Sequence, residues 1–220
     1  MLDTKLNDEA ARLAALGRYE ILDTPPEPAF DRITQLVRSI LGVPMSVVSL
    51  IDGDRQWFKS RIGVDETETA RELAFCSHAI LDPDHVTVVE DMSRDPRFLD
   101  NPLVSGPTHV RFYAGAPIVT DDGFALGTVC VVDQQVRRLS DTQIDGLRRL
   151  SALVVTLLEH ELLRKTEQAR AMDATLASNE RLTAMATAGL DLQAYVDSDG
   201  IYRHVNQTYL DYNACTAEDV

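Results

Sequence analysis

The apolar positions of this chain change period several times, and each change marks an element. Residues 8–16 carry an amphipathic helical pattern that stops at Gly17. After the break at Thr24-Pro25-Pro26, a second helical stripe over residues 29–41 runs through Phe30, Ile33, Leu36, Val37, Ile40 and Leu41, and Gly42 closes it. The β-branched run 43–51, the turn Asp52-Gly53-Asp54 and the segment 55–62 predict a β-hairpin. A helix is predicted over residues 70–81, ending before Pro83, and a short strand over 86–89. Residues 95–107, punctuated by Pro96, Pro102, Gly106 and Pro107, read as a loop with at most one helical turn around 101–105. Segments 111–119 and 124–132, joined by Thr120-Asp121-Asp122-Gly123, predict a second hairpin. Antiparallel hairpins with helices between them imply an α+β layered fold.

From Ser140 the pattern differs. Asp141-Thr142-Gln143-Ile144 places a capping residue ahead of an uninterrupted helical stretch to about residue 188, roughly 70 Å long at about 1.5 Å per residue. Val155, Leu158, Leu162, Lys165, Ala169, Met172, Leu176 and Asn179 fall on it at alternating spacings of three and four, continuing through Thr183 and Ala186. This heptad seam predicts a parallel homodimeric coiled coil. The polar Lys165 and Asn179 and the small Ala169 and Ala186 lower its stability, which suits a helix that must hold two arrangements of similar energy. The same stretch also reads as a solvated helix packed on its own domain. Gly189 ends it. Residues 190–196 and 201–205, on either side of Asp197-Ser198-Asp199-Gly200, predict a last hairpin, with a helix-like segment over 207–220. About thirty residues cannot enclose a core of their own, so 189–220 is expected to open a larger domain.

Composition narrows the classes of function. Hydrophobic residues at 45% and charged residues at 25% describe a folded chain. A formal net charge of −14, without any basic cluster interleaved with aromatics, repels phosphate backbones and argues against nucleic-acid binding. Residues 1–9 lack the cationic flank and apolar core of a signal peptide, and the apolar run 152–158 is too short to span a membrane. Cys76, Cys130 and Cys215 form an odd set without a CxxC pair or a histidine at metal-finger spacing; free thiols in the cytoplasm, and no metal site, are expected.

Seven segments in order carry a family resemblance: Leu22-Asp-Thr-Pro-Pro26, Val47-Val-Ser-Leu-Ile-Asp52, Arg55-Gln-Trp-Phe-Lys59, Phe75-Cys-Ser-His-Ala79, Val89-Glu-Asp-Met92 with Asp95-Pro-Arg-Phe98, Arg111-Phe-Tyr-Ala-Gly-Ala-Pro117, and Leu126-Gly-Thr-Val-Cys-Val-Val-Asp133. Together they resemble the GAF domains that open bacterial sensor histidine kinases, diguanylate cyclases and related multidomain signalling proteins. Asp197-Ser-Asp-Gly200-Ile-Tyr-Arg-His-Val-Asn206 is similar to the first hairpin of PAS domains. The division implied is a GAF domain over 1–160, a connecting helix over 141–188 that overlaps its end, and the start of a PAS domain over 189–220. The resemblance also implies a central antiparallel sheet with helices on both faces and a ligand-sized pocket.

The candidate pocket residues are Trp57, Phe75, Cys76, His78, Phe98, Arg111, Tyr113 and Cys130. The aromatics equally read as plain core. His78 reads as a donor to a ligand carbonyl or as a satisfied histidine, and Arg111 as an anion contact or a surface ion-pair partner. On a helix, Cys76 and His78 point about 200° apart, which argues against a nucleophile–base pair. In chromophore-bearing GAF domains histidine directly follows the bilin-attaching cysteine; Ser77 intervenes here, so covalent bilin is not expected and any cofactor is undefined. GAF-type reduction of free methionine sulfoxide uses closely grouped cysteines, whereas Cys76 and Cys130 lie far apart in unlike elements, although they could meet across a pocket. His160 reads as a solvated helix histidine. The resulting expectation is a non-enzymatic sensory input module of a cytoplasmic signalling protein. It would relay a ligand- or partner-induced change through a dimeric helix to a downstream PAS or output domain. A ligand-free dimerisation scaffold is the alternative, and the small reductase a third.

Overall fold

The structure is a computed structural model that describes residues 9–188, 194–213 and 216. Cys215, residues 1–8 and most of the segment expected to be helix-like after residue 213 lie outside the described residues. The chain divides into two compact units, Met1–Leu162 and Leu163–Val220.

The first unit is built on one six-stranded antiparallel sheet. Its strands are β1 (Met45–Ile51), β2 (Arg55–Ile62), β3 (Glu68–Ala70), β4 (Thr87–Val89), β5 (Phe112–Val119) and β6 (Ala125–Asp133), in the order β3-β2-β1-β6-β5-β4. The two predicted hairpins are present, joined through the β1–β6 pair at the centre. The central strands read as nearly continuous apolar runs because both faces of the sheet are covered. Along β1, Val48 and Leu50 enter one buried cluster while Val47 and Ile51 enter the other.

One face carries helices α1 (Glu9–Arg18), α2 (Pro28–Leu41) and the first turns of α5 (Asp141–Ala188). Pro28 starts α2 and Gly42 stops it at φ 62°, a left-handed cap whose N–H returns to the Arg38 carbonyl. Phe30, Ile33, Val37 and Leu41 are buried, but Leu36 and Ile40 are about half exposed, at 48% and 51%: the predicted stripe is wider than the strip that meets the sheet. α5 is capped by Ser140, which exchanges hydrogen bonds with Gln143. It presses Leu147, Ser151, Val154 and Leu158 inward, the Ser151 hydroxyl donating to the carbonyls of Ala116 and Pro117 on β5.

Two sequence expectations are corrected here. No single helix covers 70–81. Residues 68–70 pair with the edge of β2, Arg71–Leu73 make one 3₁₀ turn, and α3 is confined to Phe75–Ala79. Hydrogen bonds to the hairpin outweigh the local helical preference: Arg71 N–H donates to Asp54 O, and the Arg71 guanidinium to the carbonyls of Asp52 and Gly53. The seam is shorter than its heptads suggest. Leu158 is buried in its own domain, and Val155 and Leu162 pack against the same cluster, so an open face begins only beyond them.

In the second unit, α5 continues to Ala188 with Met172 and Leu176 exposed. β7 (Ala194–Val196) and β8 (Tyr202–Val205) form a hairpin. The Asp197 carboxylate accepts from the N–H groups of Asp199 and Ile201 and from Arg203. Asn206, fully buried, caps α6 (Gln207–Asn213) by accepting from Tyr209 N–H.

Candidate functional site: a thiol-floored cavity

On the sheet face away from α2 and α5, a cavity of about 250 Å³ opens between β1, β2, β5, β6, α3, the segment after β2 and the segment around α4 (Pro102–Ser105). Its floor comes from alternation along the strands: Val47, Gln56, Phe58, Tyr113 and Cys130 point into it, while Val48, Trp57, Phe112 and Val131 point to the helices. α3 closes one side with Phe75 and Cys76. Asp65, Glu66, Thr69, Leu103 and Thr108 stand at the more open end.

Gly115 explains how Tyr113 reaches the floor. The Tyr113 ring lies over this glycine so closely that a Cβ there would sit 2.1 Å from the phenol oxygen. Gly115 is paired across the ladder with Cys130, so the absent side chain lets the Tyr113 hydroxyl lie beside the thiols. It donates to Cys76 Sγ at 3.4 Å, and Gln56 Nε2 donates to the same sulfur at 3.3 Å. Cys76 Sγ and Cys130 Sγ are 3.6 Å apart. Ser49 and Thr128, paired in register on β1 and β6, join their hydroxyls at 3.3 Å in the same buried group.

The two thiols are electrostatically unequal. Burial disfavours charge on Cys76, but hydrogen bonds to Cys130, Ser49, Thr128 and Tyr113 outweigh it and hold its pKa below that of an ordinary thiol. Cys130 is pushed well up by its hydrogen bond to Cys76 and by burial. Burial likewise raises Tyr113, with the neighbouring thiols adding to it, so the phenol stays a donor. The arrangement offers an apolar chamber, a floor of weak donors and one sulfur disposed to carry negative charge.

Of the eight candidate pocket residues, the structure brings Phe75, Cys76, Tyr113 and Cys130 together around this cavity. The other four lie elsewhere. Trp57 is in the core beneath the helices, because alternation turns it away from Phe58. Phe98 is fully buried behind Phe75, edge-on at 5.3 Å, and His78 stands outside, edge-on to Phe98 at 4.9 Å. Arg111 meets neither ligand space nor an acidic partner: its guanidinium donates to the carbonyls of Val104 and Val110 and contacts His109, holding the loop after α4. Sequence reasoning missed Gln56, whose signal was a polar residue at an inward strand position, and the rim residues Asp65, Glu66 and Thr108.

It also missed Lys59. The β1–β2 register shifts by one residue between Val48 and Ser49, and Lys59 is the extra residue. Its fully buried ammonium donates to Thr24 Oγ1, the Pro25 carbonyl and Glu27 Oε1. Arg55, two turns of the ladder away, pairs with Asp23, Asp52 and Glu68. Together they bind the Leu22–Pro26 motif to β2, a structural duty that accounts for two of the resembling segments at once.

Comparison with known proteins agrees with this architecture. The model of the GAF domain family matches residues 25–158. The chain is 38% identical over 149 residues to the cyclic di-GMP phosphodiesterase PA2567 of Pseudomonas aeruginosa, a match covering 67% of this chain and 25% of that protein. It therefore spans about a quarter of the length of that curated relative. Two solved structures share the fold at 16% identity. One is the blue-light absorbing form of the Thermosynechococcus elongatus PixJ GAF domain, with TM-score 0.52, covering 75% of this chain and 96% of that one. The other is the GAF domain of the Acinetobacter phosphoenolpyruvate-protein phosphotransferase, with TM-score 0.51, covering 71% and 98%. No helix among the described residues is long and apolar enough to cross a membrane. By its family match, its sheet order and its helix-backed cavity, the chain belongs to the GAF domain family.

Proposed function

We propose that this chain is the regulatory input segment of a cytoplasmic signalling protein, in which occupation of the cavity alters α5 and, through it, the domains that follow. One observation carries the reading: the cavity and α5 touch opposite faces of the same strands. On β5, Tyr113 faces the cavity while Phe112, Ala114 and Ala116 lie in the cluster with Leu147, Val154 and Leu158. Ser151 of α5 is hydrogen-bonded directly to the β5 backbone. A ligand that displaces β5 therefore meets the helix one residue layer away, where close packing transmits small shifts as rearrangements.

Beyond Leu162 the relay runs through a parallel dimer, supported by the heptad placement of Lys165, Ala169, Met172, Leu176 and Asn179 and by the exposure of Met172 and Leu176. The hairpin after α5 is read as the opening of a PAS domain. The relative's phosphodiesterase activity toward cyclic di-GMP suggests an output of that class, rather than a kinase or cyclase, in the full protein. In this reading the chain regulates that output and performs none of it.

The test pairs native mass spectrometry with melting shifts across a panel of small metabolites and cyclic nucleotides, since a binder of the folded state raises Tm by mass action. Val64→Phe, which narrows the cavity from a half-buried wall position, is expected to abolish the shift. Leu176→Cys is expected to give disulfide-linked dimers. A chain that dimerises but retains and responds to no ligand is a scaffold; one that stays monomeric at high concentration removes the relay.

A further inference from the structure

Buried cysteines in a cytoplasmic fold are ordinarily inert small hydrophobes, separated and surrounded by hydrocarbon. Cys76 and Cys130 are neither. Their sulfurs approach to 3.6 Å across the junction of α3 and β6, and both line the cavity although each is only 2% exposed. Two further side chains, the Gln56 amide and the Tyr113 hydroxyl, aim donors at the Cys76 sulfur, whereas a neutral thiol is a weak acceptor. Several donors on one sulfur, and a second thiol in contact with it, describe an attacking thiolate and its resolving partner.

We infer that the cavity floor is a redox site, at which a small uncharged hydroperoxide oxidises Cys76 and Cys130 to a reversible intrachain disulfide. The cavity selects the oxidant. Among the described lining residues there is no lysine or arginine, and Asp65 and Glu66 stand at the open end, so anionic oxidants are repelled and a compact neutral one is admitted. In the first step the Cys76 thiolate attacks the terminal oxygen of ROOH. The S–O bond forms, the O–O bond breaks, and the alkoxide leaves and takes up the proton that Cys76 had released, giving ROH and Cys76 sulfenic acid. In the second step Cys130 Sγ attacks Cys76 Sγ. The S–O bond breaks, and the departing hydroxide takes the Cys130 proton as water. Two thiols and one ROOH thus become one disulfide, one ROH and one water, and a dithiol reductant reverses the change. Bond formation draws the sulfurs from 3.6 Å to about 2.05 Å and leaves Gln56 and Tyr113 with an uncharged, weaker acceptor in place of the thiolate. The inference needs only the cavity floor and stands whether or not α5 acts as a relay.

The experiment uses the whole chain, reduced with dithiothreitol, freed of it, and exposed to a few equivalents of hydrogen peroxide. Remaining thiols are then alkylated under denaturing conditions for peptide mapping. The expected result is a Cys76–Cys130 linked peptide as the main product, lost again with dithiothreitol, and a rate roughly tenfold above that of glutathione at the same pH. Cys130→Ser, checked for folding by circular dichroism, is expected to stop at a dimedone-reactive sulfenic acid on Cys76. Recovery of both cysteines as alkylated thiols, over-oxidation of Cys76 without the linked peptide in the unmodified chain, or a rate no faster than glutathione would each overturn the assignment.

Discussion

The two faces of the sheet are built from the same strands and obey different rules. Under the helices, the core is closed: twenty-two buried apolar residues form one cluster. Its buried polar side chains are dispersed, Thr34, Lys59 and Ser60 near the 22–27 segment that Lys59 holds and Ser151 against the β5 backbone. On the cavity side the polar groups are central. Gln56, Tyr113 and two thiols share the floor with unfilled volume over them, and the Ser49 and Thr128 hydroxyls lie buried in the same group. Since side chains alternate along a strand, neighbours such as Phe112 and Tyr113 serve these opposite purposes without compromise. Stability is concentrated on one side so that the other can tolerate a void and a buried polar network.

That division can be broken by measurement, and the largest effect is expected on the helix side. Phe30→Ala, at a position 1% exposed, is expected to cost about 3–5 kcal/mol in urea unfolding, because no void or solvent is available to absorb the lost ring. Leu103→Ala, a half-buried cavity wall, is expected to cost about 1 kcal/mol, and equal costs would dissolve the contrast. Between them stands Lys59→Met. It keeps most of the stem's packing but leaves Glu27 and the Pro25 carbonyl without their buried donor, for an expected loss of about 2 kcal/mol and earlier proteolysis within 20–27.

The smallest effect concerns the ties that join the two sides. Glu9 at the start of α1 is paired with Arg12 and with Arg71, which sits on the β1–β2 turn in the segment leading to α3. The hydrogen bond to Arg12, reinforced by Arg71 against the opposing effect of burial, holds its carboxyl at about 2 instead of 4.5. A depressed acid stabilises the fold above its unfolded value and loses that contribution as pH falls through the folded one. The stability gap between the natural chain and Glu9→Gln should therefore be full above pH 4.5 and shrink toward pH 2. With Glu9 45% exposed, solvent screening keeps that gap below about 1 kcal/mol.

Much of the fold is legible in the residues because its signals are local. Asp52-Gly53-Asp54 and Thr120-Asp-Asp-Gly123 announce their hairpins, and Pro28 and Gly42 delimit α2. The failure over 70–81 has a tertiary cause. The apolar spacing over 70–81 fits a helix, but the pairing of residues 68–70 with β2 and the carbonyls of the β1–β2 turn that bind Arg71 hold its first residues out of one. The site is half legible. Phe75, Cys76, Tyr113 and Cys130 are legible by type and position, but the contact between the thiols depends on where α3 lands against β6, and the Tyr113 hydroxyl reaches them only because Gly115 lies under its ring, which no spacing encodes. Trp57, open in the sequence between pocket wall and plain core, is core, and Arg111 is neither of its two alternatives: a conspicuous side chain says nothing about which way its strand or loop turns it.

The bulge in β2 reaches past the loop it holds. Gln56, Trp57 and Phe58 alternate between cavity and helices, and Ser60 again meets α2 at Thr34 and Asp31. Delete Lys59 and the remaining order is an unbroken strand, every neighbour still facing its proper way. The lysine is thus a supernumerary letter that can enter or leave without disturbing the spelling around it. The bulge inserts an anchor for the proline-rich segment while leaving the two faces of β2 in phase on either side of it.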